Sequence, residues 1–300
     1  MCTAISFKGE HHLFARTLDH TRDYGERVVT LEREKDLKLG HVTGFRTKYA
    51  VIGTAVEKDG VPLFFDAMNE CGLVGAGLNL PKSTHLRKPL HDKRNIGSHE
   101  LLGFILSSAA SLREAGELLG RVNLTSLGVI DGIPPAPLHY IFSDKSGSIV
   151  FESTSAGCRI YDDPVGVLTN EPELPKQLEA LARYKDGAEA GIDLSVRIIS
   201  RDEKDPYYLG AWSSGGRFIR AAMIRDNIPH AKSREEAMRD CLSAIMSMAV
   251  PNGAVSSGDG FMSTRYISVS DTEALVYRVL RTDTGVFSSH RLIRDPRDAR

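Results

Sequence analysis

The chain opens Met1-Cys2-Thr3-Ala4-Ile5-Ser6-Phe7-Lys8-Gly9-Glu10 and, after two histidines, continues Leu13-Phe14-Ala15-Arg16-Thr17-Leu18-Asp19. The first run alternates Cys2, Ala4 and Ser6 with Thr3, Ile5 and Phe7, which is the two-residue period of a strand. Lys8-Gly9-Glu10 is a turn signal and Leu13 to Thr17 a second apolar run, so the spacing predicts an N-terminal hairpin. The small residue behind the initiator permits removal of Met1, and the mature chain is expected to begin at Cys2. Such a residue carries a thiol and a free α-amine, with reference pKa values of roughly 8.5 and 7.7–8.0. The amine can therefore take the thiol proton, giving a nucleophile with its own base attached.

Working outward from the hairpin, Arg16 and Asp19 lie on or just past the strand that pairs with Cys2. The hairpin is expected to bring both back toward it, the guanidinium to stabilise thiolate and the carboxylate to orient the amine. Two more apolar strands end in an amide: Gly77-Leu78-Asn79-Leu80-Pro81 and Val167-Leu168-Thr169-Asn170-Glu171-Pro172. Asn is a common turn former. A strand-end Asn can also aim a donor at the oxyanion of an acyl-transfer reaction from a rigid base.

Tyr49 to Val56 and Val61 to Met68 flank the hairpin turn Lys58-Asp59-Gly60, and Cys71 to Leu78 adds a third apolar run. Leu101, Leu102, Ile105, Leu106, Ala109 and Leu112 recur at helical spacing after a cap at Ser98, and Ser233-x-x-Glu236 is a capping box. Strands return at 140–143, 148–152, 165–169, 266–270 and 274–280. Sequential hairpins interrupted by helices indicate an α+β fold in one domain spanning 1–300, with no linker or repeat.

Thirty-eight basic and 39 acidic residues leave a net charge of −1, and 41% of the 300 residues are hydrophobic. There is no basic stripe for nucleic acid or an anionic membrane, no signal peptide and no membrane-length apolar run, so a cytoplasmic protein is expected. Cys2, Cys71, Cys158 and Cys241 lack the spacing of zinc, redox or disulfide frameworks. No G-x-S-x-G elbow, phosphate loop or H-E-x-x-H is present. Gly72, Gly75 and Gly77 invert the dinucleotide order and read as close backbone approach. His85, His91 and His99 read as surface residues rather than metal ligands. Gly157-Cys158 offers a second place for a cysteine nucleophile, exposed by self-cleavage, but the motifs that follow Cys2 do not follow Cys158.

With these motifs in place, the chain resembles the choloylglycine hydrolase family, the N-terminal-nucleophile hydrolases that include bile salt hydrolases and penicillin V acylases. The resemblance rests on Met1-Cys2-Thr3-Ala4, Phe14 to Asp19, Gly77 to Pro81, Leu168 to Pro172 and Ser214-Gly215-Gly216-Arg217-Phe218-Ile219-Arg220-Ala221-Ala222, with Val250-Pro251-Asn252-Gly253 and Ser263 to Ser268 extending it. It implies a four-layer αββα sandwich, two antiparallel sheets covered by helices, whose first strand begins at Cys2. It also implies Cys2 as nucleophile and base, Arg16 and Asp19 setting thiol and amine, Asn79 and Asn170 binding oxyanion and substrate, and Arg217 completing the polar network. The reaction implied is hydrolysis of a linear amide through a thioester, with no metal or other cofactor, in a homotetramer. Asn79 resembles the bile salt branch, since several penicillin V acylases carry an aromatic residue there. Conjugated bile salts are thus the expected substrate, with penicillin V or another N-acyl amide, such as an acyl homoserine lactone, as alternative. His20 and the loop residues Ile130 and Ile133 are the expected lip of the substrate pocket. A non-catalytic ligand-binding relative is the remaining reading.

Overall fold

The computed structural model describes residues 1–39, 42–126, 135–189, 211–258 and 260–293. Cys2–Phe7 and Leu13–His20 form the expected hairpin, in register Cys2 with Leu18 and Phe7 with Leu13. Around it grows an antiparallel sheet in the order Val167–Leu168, Cys2–Phe7, Leu13–His20, Gly260–Asp271, Val276–Arg281, Phe287–Arg291. The second antiparallel sheet runs Gly157–Asp162, Gly147–Thr154, Leu138–Asp144, Val74–Asn79, Val61–Asn69, Val51–Lys58, Arg27–Leu31. Asp59 and Gly60 both take positive φ, 51° and 77°, which suits the tight turn between Val51–Lys58 and Val61–Asn69.

Helices Ser214–Asn227 and Arg234–Met246 pack on the outside of the first sheet, and Leu101–Ser108 and Leu112–Leu119 on the outside of the second. The result is the four-layer αββα sandwich. Strand alternation divides the apolar side chains: Tyr140, Phe142 and Phe151 turn to the helix Leu101–Ser108, while Ile141 and Val150 join the core shared with the first sheet. Each such fully buried side chain contributes roughly 1.5–3 kcal/mol. Gly75 allows the helix to lie this close, because a Cβ there would sit 2.8 Å from Phe142 and 2.9 Å from Leu102. Close approach, not a nucleotide, explains that glycine.

Three local expectations change. Ser98 does not cap the first helix, whose N-cap is Glu100; the apolar repeat breaks at extended Ala109, and Ser111 caps a second helix by accepting the Glu114 N–H. The run from Cys71 becomes strand only at Val74, because Asn69 Oδ1 takes the Cys71 and Leu73 N–H groups and Gly72 turns at φ 85°. The segment 165–169 contributes only Val167–Leu168 to the sheet.

Candidate active site

Cys2 begins the first strand and is 3% exposed. Alternation sends Cys2, Ala4 and Ser6 toward the second sheet, as the Ser6 to Ser143 hydroxyl contact of 2.7 Å records. Thr3 faces the helices, where Arg217 Nη1 donates to its Oγ1 at 2.6 Å. Cys2 lies at the wall of a cavity of about 590 Å³ that Leu18, His20, Tyr24, Asn79 and His99 share with an apolar lining of Val56, Leu63, Phe64, Phe65 and Leu138. That volume lies within the range of small-molecule sites.

The backbone nitrogen of Cys2 donates to Asn170 Oδ1 at 2.9 Å, and Arg217 Nη2 donates to the same oxygen at 2.8 Å. The same guanidinium grips the Cys2 carbonyl through Nη1. With two donors on its oxygen, the Asn170 amide orientation is fixed, and its Nδ2 donates to the Asn79 carbonyl at 2.8 Å. Burial lowers the pKa of Arg217, opposed by Asp19 and Cys2. Asn170 itself is pinned from both ends. Its N–H reaches Ser214 Oγ at 2.8 Å, and Gln177 Nε2 donates to its carbonyl at 2.6 Å. His139 Nε2 holds the neighbouring Thr169 carbonyl at 3.1 Å, while Glu152 Oε1 meets His139 Nδ1 and the Leu174 N–H, each at 3.0 Å.

Asp19 occupies the helix-side face of the second strand. Its oxygens accept from Thr264 Oγ1 at 2.6 Å and Thr17 Oγ1 at 3.3 Å. Met1, which precedes Cys2 in this structure, continues the ladder: its amine donates to the Asp19 carbonyl at 2.8 Å and its carbonyl accepts the Asp19 N–H at 3.0 Å. Burial lowers that amine's pKa, opposed by Cys2 and Asp19 and reinforced by the cations Arg217 and Arg16. Arg16 sits on the opposite face from Asp19, level with Ala4 and fully buried. Burial works against its charge, yet Tyr266, Cys2 and Asp66 outweigh it and raise its pKa.

Arg16, Asp19, Asn79, Asn170 and Arg217 therefore converge on the start of the first strand, with Arg16 on the thiol's face and Asp19 on the other. His20 lines the cavity and meets the Tyr24 hydroxyl through Nε2 at 2.6 Å. Ile130 and Ile133 lie outside the described residues. His99 is a correction, since it lines the cavity rather than the open surface. Cys158 lies on the edge strand Gly157–Asp162 of the other sheet, beside Ser153. Sequence reading gave no role to Asp66 or Glu152, and quoted Thr264 only within the segment Ser263 to Ser268. A carboxylate inside Leu63-Phe64-Phe65-Asp66-Ala67 or Ile149-Val150-Phe151-Glu152 was the available signal, because buried acids need partners.

The turn leading to Asn170 carries a titrating group. Asp163 accepts from the N–H groups of Val165 and Gly166 at 3.1 and 2.9 Å, yet burial pushes its pKa up to about 6. The folded chain thus holds this proton more tightly than the unfolded one. The associated stability is complete below about pH 4 and is lost as pH rises through 6. Asp163→Asn keeps the Oδ1 acceptor without the charge and is expected to raise Tm at pH 8 by about 2 °C. Thermal melts at pH 8 and pH 4.5 check this, the gain disappearing at the lower pH.

Comparison with known proteins bears on this geometry. The model of the linear amide C–N hydrolases, choloylglycine hydrolase family, matches residues 2–292. A bile salt hydrolase/transferase of Lactiplantibacillus plantarum is 33% identical over 96% of this chain and 91% of its own. A conjugated bile acid hydrolase of Lactobacillus gasseri is 32% identical over 85% of this chain and 84% of its own. The crystal structure of the C2A mutant of the conjugated bile acid hydrolase from Clostridium perfringens superposes with a TM-score of 0.83 at 25% identity, covering 97% of this chain and 92% of that one. Penicillin V acylase from Agrobacterium tumefaciens shares the fold, with a TM-score of 0.78 at 23% identity over 97% of this chain and 86% of that one. Among the described residues, no helix is long and apolar enough to cross a membrane.

Proposed function

Because the chain belongs to the choloylglycine hydrolase family of linear amide C–N hydrolases, we propose that it cleaves the amide joining a bile acid to glycine or taurine, with Cys2 as nucleophile. The observation that carries this reading is the grip of Asn170 Oδ1 on the Cys2 nitrogen at 2.9 Å, beside a largely apolar cavity of about 590 Å³. Removal of Met1 turns that nitrogen into an α-amine already oriented by Asn170, in surroundings whose cations favour its neutral, proton-accepting form.

In this mechanism the amine takes the thiol proton and Arg16 stabilises the thiolate, which attacks the substrate carbonyl. One Asn170 N–H is given to the Asn79 carbonyl, and the second, with Asn79, binds the oxyanion. The amine then passes its proton to the departing nitrogen, the C–N bond breaks and a thioester remains. Water, deprotonated by the same amine, attacks the thioester and releases the acid. Arg217 fixes the Cys2 carbonyl and Asn170 together, and Asp19 holds the end of the strand. Val56, Leu63, Phe64, Phe65 and Leu138 supply the apolar wall for a sterol. A homotetramer and a cytoplasmic site are part of the same reading.

Purified protein is expected to release glycine from glycocholate or taurine from taurocholate at a kcat/KM at least about tenfold above that for phenoxyacetate release from penicillin V, roughly 1.4 kcal/mol of discrimination. Amino-group release and phenoxyacetate are both measured by chromatography. A reversed ratio sinks the bile salt assignment and leaves the amidase standing.

A further inference from the structure

Between the two sheets, on the face of the first strand that Cys2 occupies, lies a buried polar cluster that the mechanism above does not use. Asp66, from the strand Val61–Asn69, is 1% exposed and accepts three hydroxyls: Tyr266 on Oδ1 at 2.5 Å, and Ser268 and Tyr277 on Oδ2 at 2.6 and 2.7 Å. Burial holds the Tyr266 and Tyr277 phenols well above their ordinary pKa, so both remain donors. Arg16 comes no nearer to this carboxylate than 3.5 Å and reaches the Tyr266 oxygen at 3.4 Å. Its Nη2 is buried with no hydrogen-bond partner among the described residues.

That arrangement departs from the usual one. A buried arginine and carboxylate ordinarily close into a forked pair at about 2.7–2.9 Å. Here hydroxyls take three of the carboxylate's roughly four acceptor positions, which leaves no room for a two-oxygen fork, and the guanidinium stays at a distance with a donor to spare. Ala4 stands opposite Arg16 in the ladder, and Cys2 is two residues further along the same face. The charge that Asp66 engages only at 3.5 Å therefore lies on the thiol's face of the sheet and interacts electrostatically with Cys2.

We infer that Asp66, capped by Tyr266, Ser268 and Tyr277, is a positioning residue that holds Arg16 in a long ion pair, keeps it from closing into a forked salt bridge, and so reserves its guanidinium for Cys2. This rests on Cys2 being the nucleophile. Removing a capping hydroxyl frees a carboxylate lone pair, Arg16 closes onto Asp66, and Cys2 loses the cation that favours its thiolate.

The test reads alkylation of Cys2 by iodoacetamide, quantified on the Cys2 peptide, beside kcat and KM for hydrolysis. Tyr266→Phe, which uncovers the oxygen nearest Arg16, is expected to slow alkylation at pH 7 about tenfold, with recovery at higher pH. Its kcat should fall in step and KM stay within twofold. Ser268→Ala, a smaller change, is expected to slow alkylation about threefold and keeps the test open if Tyr266→Phe does not fold. Thr54→Val removes a buried hydroxyl that meets the Tyr277 hydroxyl and makes no hydrogen bond to the carboxylate of Asp66, its partner across the ladder, and should leave alkylation unchanged. Adding Asp66→Asn to Tyr266→Phe removes the charge that captured Arg16 and should restore the rate. Folded Tyr266→Phe and Ser268→Ala proteins that both alkylate within twofold of wild type overturn the proposal, as does equal slowing by Thr54→Val or failure of the rescue. Hydrolysis retained in Cys2→Ser would instead indict the nucleophile assignment.

Discussion

Cys2→Ser is expected to fold as the wild type does and to lose amide hydrolysis by at least about a thousandfold, because a serine hydroxyl at neutral pH lacks the thiolate fraction that attacks the carbonyl. The change is nearly isosteric. The network around the residue is built on its backbone, with Asn170 on the nitrogen and Arg217 on the carbonyl, so it survives the loss of sulfur. The other cysteines separate chemistry from packing. Cys71→Ser and Cys158→Ser alter half-buried positions away from the cavity and should keep kcat. Cys241 is fully buried, and that burial pushes its thiol pKa well above the ordinary range. A hydroxyl there finds an apolar site, so Cys241→Ser should cost about 1–3 kcal/mol of stability while preserving turnover. Intact mass of the active enzyme should equal the full chain less one methionine, since an acylated Cys2 nitrogen cannot serve as base. Activity persisting in Cys2→Ser, or full activity with Met1 retained, contradicts the mechanism.

Much of this centre was legible because its parts are local. The hairpin follows from Cys2 to Asp19 alone, and the capping box from Ser233 and Glu236, where Ser233 Oγ does accept the Glu236 N–H at 3.2 Å. Even the placement on two faces around Cys2 was there to be read: Arg16 and Asp19 are three apart on one strand, and an odd spacing sends them to opposite faces. What no local pattern contains is contact across the sandwich. Asp66 meets Tyr266 and Tyr277 over some two hundred residues of chain. The clamp of Glu152 and His139 on the Asn170 turn depends on which sheet faces which. The break between helices Leu101–Ser108 and Leu112–Leu119 was hidden because the apolar repeat runs across it, and only Ser111 marks the new cap. Periodicity records which side is buried, not where hydrogen bonding stops.

Asn170 offers the second large effect, and its two side-chain atoms have separable roles. Oδ1 meets the Cys2 nitrogen and Arg217, whereas Nδ2 spends one hydrogen on the Asn79 carbonyl and, in the proposed mechanism, has one for the substrate. Asn170→Ala removes all of this, leaving Arg217 Nη2 and the Asn79 carbonyl short of a partner. Turnover should fall at least about a thousandfold, and Tm should fall as well, because buried polar groups without partners cost about 1–3 kcal/mol each. Asn170→Asp isolates the donor. Its carboxylate still receives the Cys2 amine and forms an ion pair with Arg217, so the nucleophile stays anchored and alkylation of Cys2 by iodoacetamide should remain within a few-fold of wild type. With no N–H left to meet the developing oxyanion, kcat should nevertheless drop about a hundred- to a thousandfold, the usual cost of one lost oxyanion donor. If Asn170→Asp instead turns over at near wild-type rate, Nδ2 takes no part in stabilising the transition state, and Asn170 acts only through its grip on the amine. Loss of alkylation in step with kcat would lead to the same conclusion from the other side, since the defect would then lie in Cys2 itself.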